Sequence, residues 1–183
     1  MTQNAFNPRI LSYEAAIGQL NWTEAVEALR QGHTLPRAEI RDVFLGPPDA
    51  TMMSRSAHIA GLGYGAKTFT VFDANAGRGL PTVQGAMLVF DKDAGGLQAI
   101  VDSSLVTEIK TAADSVLGAS LLARPDSRHL LVVGAGTVAT GLVKAYTSVI
   151  PGIERVSVWS RRPEQAQSLI AEMPGIKAEL VAV

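Results

Sequence analysis

Apolar residues recur at helical spacing near the start of the chain, alternate with polar ones in its middle, and run unbroken just before a pair of glycines. The first pattern predicts two short helices. Ser12 can cap one over residues 13–20, and Thr23 another over 24–31, with Gly32 as a stop. Residues 33–48 then mix proline, glycine and charge around one apolar run, Val43-Phe44-Leu45. Lys67-Thr68-Phe69-Thr70-Val71-Phe72 alternates and is rich in β-branched and aromatic residues, as a strand is. A loop over 73–81 leads to two further strands, 83–90 and 97–101, joined across residues 91–96 as a hairpin. Residues 107–123 return to helical spacing. Pro125 and Asp126 mark a break, so the predicted domains are 1–125 and 126–183.

The second domain has the sharper pattern. Residues 128–133 end in Leu130-Leu131-Val132-Val133, a continuous apolar run of the kind a parallel sheet buries on both faces. Gly134-Ala135-Gly136 follows at once, then a predicted helix over 137–149, a strand over 155–159, a helix over 163–172 and the start of a third strand over 177–183. The order β-α-β-α-β is the first half of a Rossmann-like doubly wound parallel sheet. The fold class is therefore α/β, with an α+β domain ahead of that half sheet.

Composition narrows the partners. The chain has 183 residues, 47% hydrophobic and 18% charged, a net charge of -1, and no cysteine. A near-neutral balance without a basic run argues against nucleic acid and anionic membranes, which require clustered Lys and Arg. Without cysteine there is no disulfide, thiolate metal site or thiol nucleophile, and a reducing cytoplasm is the natural compartment. The start, residues 1–9, is polar and lacks the apolar stretch of a signal peptide. The most apolar uncharged stretch, 130–143, is too short to span a bilayer. His33, His58 and His129 show no metal-ligand spacing.

The glycine pair carries the clearest chemistry. Gly134 allows a tight turn, and Gly136 has no side chain to keep a pyrophosphate from the backbone and the helix N-terminus. Ala139 fills the third small position of this dinucleotide fingerprint. The same turn occurs in α/β proteins that bind nothing; strand, helix and second strand in register favour binding here. At the end of the second strand an NAD enzyme places Asp or Glu on the ribose 2′-hydroxyl. This chain has Ser160-Arg161-Arg162 instead, which suits a 2′-phosphate, so NADP(H) is preferred over NAD(H). The alternative is a solvated arginine pair opening a helix.

Several stretches resemble the ornithine cyclodeaminase/mu-crystallin family. They are Gly65-Ala66-Lys67, Gly79-Leu80-Pro81-Thr82-Val83-Gln84-Gly85, Lys110-Thr111-Ala112-Ala113, Leu122-Ala123-Arg124-Pro125-Asp126-Ser127 and Gly134-Ala135-Gly136, in the family's order. The resemblance implies an NAD(P)-dependent oxidoreductase acting on a small amino or cyclic imino acid, with the first domain serving substrate binding and homodimerisation. It implies that Lys67 lies in the substrate pocket, where an ammonium can hold a carboxylate or move a proton at an imine nitrogen, although a strand lysine is ordinarily a surface residue. It implies that Thr82 contacts the cofactor, though a β-branched residue also suits a strand for its own sake, and that the backbone of Thr137 and Val138 lies over the pyrophosphate. Lys110 stands where many members have Arg, so the charge is kept and the planar fork is not; Lys110 is a candidate for both catalysis and cofactor binding. Arg55 is the preferred carboxylate ligand, with Arg37 the other candidate.

The family's proteins run longer, complete the sheet and carry a catalytic aspartate in their second half, which neither Asp102 nor Asp114 matches in position. A half sheet leaves an edge and apolar faces to be covered, so the chain is expected to be a fragment of a longer protein or to associate. The favoured chemistry is reduction of a pyrroline-carboxylate or similar ketimine, with the nicotinamide between the two domains. Ornithine cyclodeamination with bound NAD and non-catalytic NADP binding are the alternatives.

Overall fold

The computed structural model describes residues 7–183; part of the polar start, positions 1–6, lies outside them. Contacts divide the chain into two compact units. One holds the described residues up to Leu20 together with His33–Thr107, the other Asn21–Gly32 together with Glu108–Val183. The predicted break at Pro125 follows the end of helix α3 (Ser103–Leu122), most of which groups by contact with the second unit.

The first unit is built on six strands, β1 (Arg9–Leu11), β2 (Glu39–Leu45), β3 (Ala50–Ile59), β4 (Gly63–Phe72), β5 (Val83–Phe90) and β6 (Leu97–Asp102), in the order β1-β6-β5-β4-β3-β2. All neighbours run antiparallel except β1, which lies parallel to β6. Strands β1 to β3 carry no clean alternation in sequence, because both of their faces stay at least partly open to solvent. Where one face is not buried, the period-2 signal fades. The predicted hairpin over 91–96 is present, and the Asp91 carboxylate stitches it together. It accepts from the backbone N–H of Asp93, Ala94 and Gly96 at 2.9, 2.7 and 2.6 Å, which holds the carboxyl below the usual aspartate range. Gly85 lies opposite Phe69, where a Cβ would stand 2.1 Å from the Thr68 carbonyl oxygen and 2.5 Å from Phe69 Cα. Only glycine lets β4 and β5 approach this closely.

Helix α1 (Tyr13–Ile17) is capped by Ser12, which accepts from the Ala15 N–H at 3.3 Å. Helix α2 (Trp22–Gly32) begins earlier than predicted. Its cap is Asn21, whose Oδ1 accepts from the N–H groups of Thr23 and Glu24 at 3.0 and 3.2 Å, so Thr23 lies inside the helix. Asn competes as strongly as Thr for this role.

The second unit carries a parallel sheet, β7 (His129–Val133), β8 (Arg155–Trp159) and β9 (Glu179–Ala182), in the order β7-β8-β9. Helix α4 (Thr137–Val149) and helix α5 (Pro163–Ala171) make the crossovers. Val132, Val156 and Val158 turn one face of the sheet toward Ala139 and Val143 of α4 and Ala166 and Leu169 of α5, all buried. The opposite face leaves Leu131, Val133 and Trp159 exposed. Helix α3 meets α4 at Gly141, where a Cβ would come within 3.2 Å of the Glu108 side chain. Among the described residues no helix is long and apolar enough to cross a membrane.

Candidate functional site

In the second unit β7 delivers the chain into a turn that only glycine can make without strain. Gly134 has φ +121°, and its N–H donates to the Trp159 carbonyl at 2.7 Å, tying the turn to the end of β8. That amide is committed to the fold. Gly136 caps α4 in an extended conformation with no side chain to serve the helix, so the first amides of α4 lack an intrahelical partner. A Cβ at Gly136 would meet nothing within 4 Å, and the space it would enter is a hollow of about 400 Å³ lined by Val132, Val133, Gly134, Gly136, Thr137 and Val138 among others. Ala139 is buried beneath it. Unpaired amides at the positive end of a thirteen-residue helix, next to open space, suit a pyrophosphate.

Ser160, Arg161 and Arg162 follow β8 directly. The Ser160 hydroxyl accepts from the Arg162 N–H at 3.3 Å, Arg162 caps α5, and Pro163 starts that helix. Both arginine side chains are exposed, and among the described residues neither forms an ion pair.

In the first unit the register brings Lys67 of β4 opposite Arg55 of β3, and Arg55 opposite Asp42 of β2, so the three side chains share one face. Arg55 is held in a two-pronged pair, Nε to Asp42 Oδ1 at 2.7 Å and Nη2 to Oδ2 at 2.6 Å. The pair lowers the Asp42 carboxyl and raises the Arg55 guanidinium from their ordinary pKa values. Lys67 has no such partner among the described residues. Its Nζ donates to Thr107 Oγ1 at 2.5 Å and lies 5.3 Å from the centre of the Phe69 ring, and partial burial pushes its pKa below the usual lysine range. Asp42 and Thr107 are the two neighbours that sequence alone did not single out. The first follows only from the β2–β3 register, the second from the contact of β4 with α3. Thr82 sits in the bend ahead of β5, its carbonyl accepting from the Phe72 N–H at 2.9 Å.

Lys110 lies within α3 rather than in its first turn, and pairs with Asp114 one turn on. Asp102 is engaged at the start of the same helix, accepting from the Ser104 N–H at 2.7 Å. Arg37 is exposed ahead of β2. His58 stacks on Tyr64 with ring centres 4.5 Å apart, His129 Nε2 lies 2.8 Å from Ser157 Oγ, and no metal-binding group occurs among the described residues. A hollow of about 490 Å³ in the first unit is lined by Arg41, Ser56, His58, Tyr64 and Ala66, which point to the face opposite Lys67.

Residues 43–183 match the profile of the ornithine cyclodeaminase/mu-crystallin family. The chain is 76% identical to a Δ1-pyrroline-2-carboxylate reductase of Paracoccus denitrificans, over all of its own 183 residues and 58% of that protein. Two solved structures share its fold. One is a Δ1-pyrroline-2-carboxylate reductase of Thermococcus litoralis in complex with NADH and L-proline, at 21% identity, with TM-score 0.81 over 96% of this chain and 56% of that one. The other is an archaeal alanine dehydrogenase dimer with bound NAD, at 24% identity, with TM-score 0.84 over the same shares. The chain thus spans little more than half the length of these relatives.

Proposed function

The chain belongs to the ornithine cyclodeaminase/mu-crystallin family, and from that premise we propose that it forms the substrate- and coenzyme-binding part of an NAD(P)-dependent reductase of cyclic imino acids, a pyrroline-carboxylate or related ketimine. The observation that carries this reading is the 76% identity to a Δ1-pyrroline-2-carboxylate reductase along the whole chain.

The residues present suit the chemistry. A nicotinamide coenzyme, when bound, would supply the hydride that adds to the imine carbon; the groups of this chain bind, orient and protonate. The backbone amides after Gly136, those of Thr137 and Val138, hold the pyrophosphate, while Gly134 shapes the turn. Lys67 donates a proton to the imine nitrogen, which together with the hydride at carbon turns C=N into CH–NH. A lowered pKa makes that proton easier to give than an ordinary lysine's. Arg55 holds the substrate carboxylate in plane. Lys110 and Thr82 position substrate and coenzyme, Lys110 by exchanging its Asp114 partner for an anionic group. For the coenzyme, Ser160, Arg161 and Arg162 favour NADP(H), because two unpaired guanidinium groups and a hydroxyl match a 2′-phosphate. NAD(H) is the coenzyme of the solved structures named above. We further infer that residues 1–125 serve substrate binding and pairing with a second copy through the first sheet. Val43, Leu45, Tyr64 and Phe72 are exposed on the face away from Lys67.

The test is turnover. In a purified full-length form with NADPH and pyrroline-2-carboxylate or piperideine-2-carboxylate, coenzyme oxidation and the cyclic amino acid are expected. The reading fails if neither coenzyme turns over with those imines, with alanine, or with pyruvate plus ammonia. Ammonia released from ornithine without net coenzyme consumption would identify a cyclodeaminase instead.

A further inference from the structure

Lys67 is the group to which the proposed reaction assigns the proton, and its nearest polar neighbour is an uncharged hydroxyl. Thr107 Oγ1 stands 2.5 Å from Lys67 Nζ and itself donates to the Ser103 carbonyl at 2.7 Å, one turn earlier in α3. A hydroxyl has one proton, and this one is committed to the helix backbone, so toward Lys67 the oxygen can only accept. Ser103 is fully buried, which fixes the carbonyl end of the chain of bonds.

We infer that Thr107 is the positioning residue of the site, holding Lys67 Nζ by an accepting hydroxyl that the Ser103 carbonyl orients. This inference rests on the role proposed for Lys67 as proton donor. It explains a requirement that a carboxylate partner would not meet. A lysine that gives and regains a proton must keep its place in both states. The ammonium gives Thr107 one of three protons and leaves two for the substrate. The neutral amine still gives one and leaves its lone pair free, so the anchor survives proton transfer. An aspartate in the same place would hold the ammonium far more tightly and oppose release of the proton.

The groups facing Lys67 from the elements around it agree with this division. Met87 of β5 is apolar, Arg55 of β3 has its charge engaged by Asp42 of β2, and Thr107 is the hydrogen-bond acceptor from α3. The pKa of Lys67 is already lowered by burial. An acceptor bound to the charged form offsets part of that cost, so its removal must lower the pKa further.

The experiment is a titration of Lys67 by NMR on protein labelled with 13C and 15N at lysine, with Lys67→Met identifying its signal. Thr107→Val keeps the shape and deletes the acceptor; Thr107→Ser keeps the acceptor. Expected are a lower Lys67 midpoint in Thr107→Val and a midpoint near wild type in Thr107→Ser. In the reductase assay the valine variant should lose about tenfold in kcat, the value of one hydrogen bond of average strength, with little change in KM, and serine should restore it. An unchanged or raised midpoint in Thr107→Val overturns the inference, as does a serine variant that behaves like valine. Failure of the proposed function is separately visible: the titration would behave as described in a protein that reduces no imine.

Discussion

The three parallel strands of the second unit close on a core of Val132, Val143, Val156 and Val158, whereas in the first unit's six strands only Gly63 is buried. The two sheets offer chemistry in correspondingly different ways. In the second unit the candidate site is backbone: amides at the start of α4, exposed because Gly136 has no side chain and the turn at Gly134 takes a conformation other residues rarely adopt. A buried core fixes such a site, since the strand ends and the helix start are placed by packing. In the first unit the candidate site is side chain, with Lys67, Arg55 and Asp42 in a row across one open face. Such a site depends on neighbours, because ion pairs and hydrogen bonds decide which group is free. A backbone site is therefore broken by adding atoms, and a side-chain site by removing them.

The largest effect is expected where a side chain is removed. Lys67→Met should lower kcat/KM for the imine by roughly a hundred- to ten-thousandfold, the usual worth of a general acid, while leaving coenzyme affinity unchanged by fluorescence titration. Burial lowers the Lys67 pKa on folding, which fixes two signs. Reduction should fail as pH rises through the lowered value, below where an ordinary lysine titrates. Over the interval between the folded and unfolded values the unfolded chain holds more protons, so this group's contribution to stability rises with pH. Lys67→Met should abolish both trends, and wild-type pH behaviour in that variant would remove Lys67 from the mechanism.

Next comes the site broken by addition. Gly136→Val places a side chain where a Cβ has no neighbour within 4 Å, so the melting temperature should hold while coenzyme affinity falls by about a hundredfold, near 2.7 kcal/mol. Unaltered affinity would mean that the hollow beside α4 does not take the pyrophosphate.

The same contrast accounts for what the sequence disclosed. Strands β7 and β8 and helix α4 were legible almost to the residue because Leu130 to Val133 form an unbroken apolar run and Gly134-Ala135-Gly136 punctuates it. Only one face of that sheet is buried, against α4 and α5, yet Leu131 and Val133 on the open face are apolar too, so the run reads unbroken. Strands β2 and β3 were not legible. In Ala50–Ile59 small, polar and apolar residues succeed each other with no period, since neither face of that sheet is buried. The candidate lysine was legible through the order of family motifs alone, not through spacing. Asp42, which pairs with Arg55, and Thr107, which bonds to Lys67, lie 13 and 40 residues from those partners and become visible only with strand register and the α3 contact.

Coenzyme choice tests whether the backbone site has a side-chain supplement. The double change Arg161→Ala, Arg162→Ala should weaken NADPH binding by about tenfold or more, the value of a charged hydrogen bond, and leave NADH binding as it was. Equal loss for both coenzymes would assign the arginines to the pyrophosphate or to the fold, and no loss would leave them as the solvated opening of α5.

The smallest effect probes the row on the first sheet. Asp42 holds both prongs of the Arg55 guanidinium, so a substrate carboxylate must compete with it for Arg55. Asp42→Asn removes the competing charge but keeps a side chain of the same size. The pair is exposed, and exposed ion pairs contribute little to folding, so the melting temperature should scarcely move. If Arg55 takes the carboxylate, KM for the imino acid should fall by about two- to threefold, because the free guanidinium no longer exchanges one anion for another. Arg55→Ala should then raise KM in both backgrounds. A KM that ignores both changes would move the carboxylate to another arginine, with Arg37 the remaining candidate, and would leave Arg55 and Asp42 as a clasp between β2 and β3.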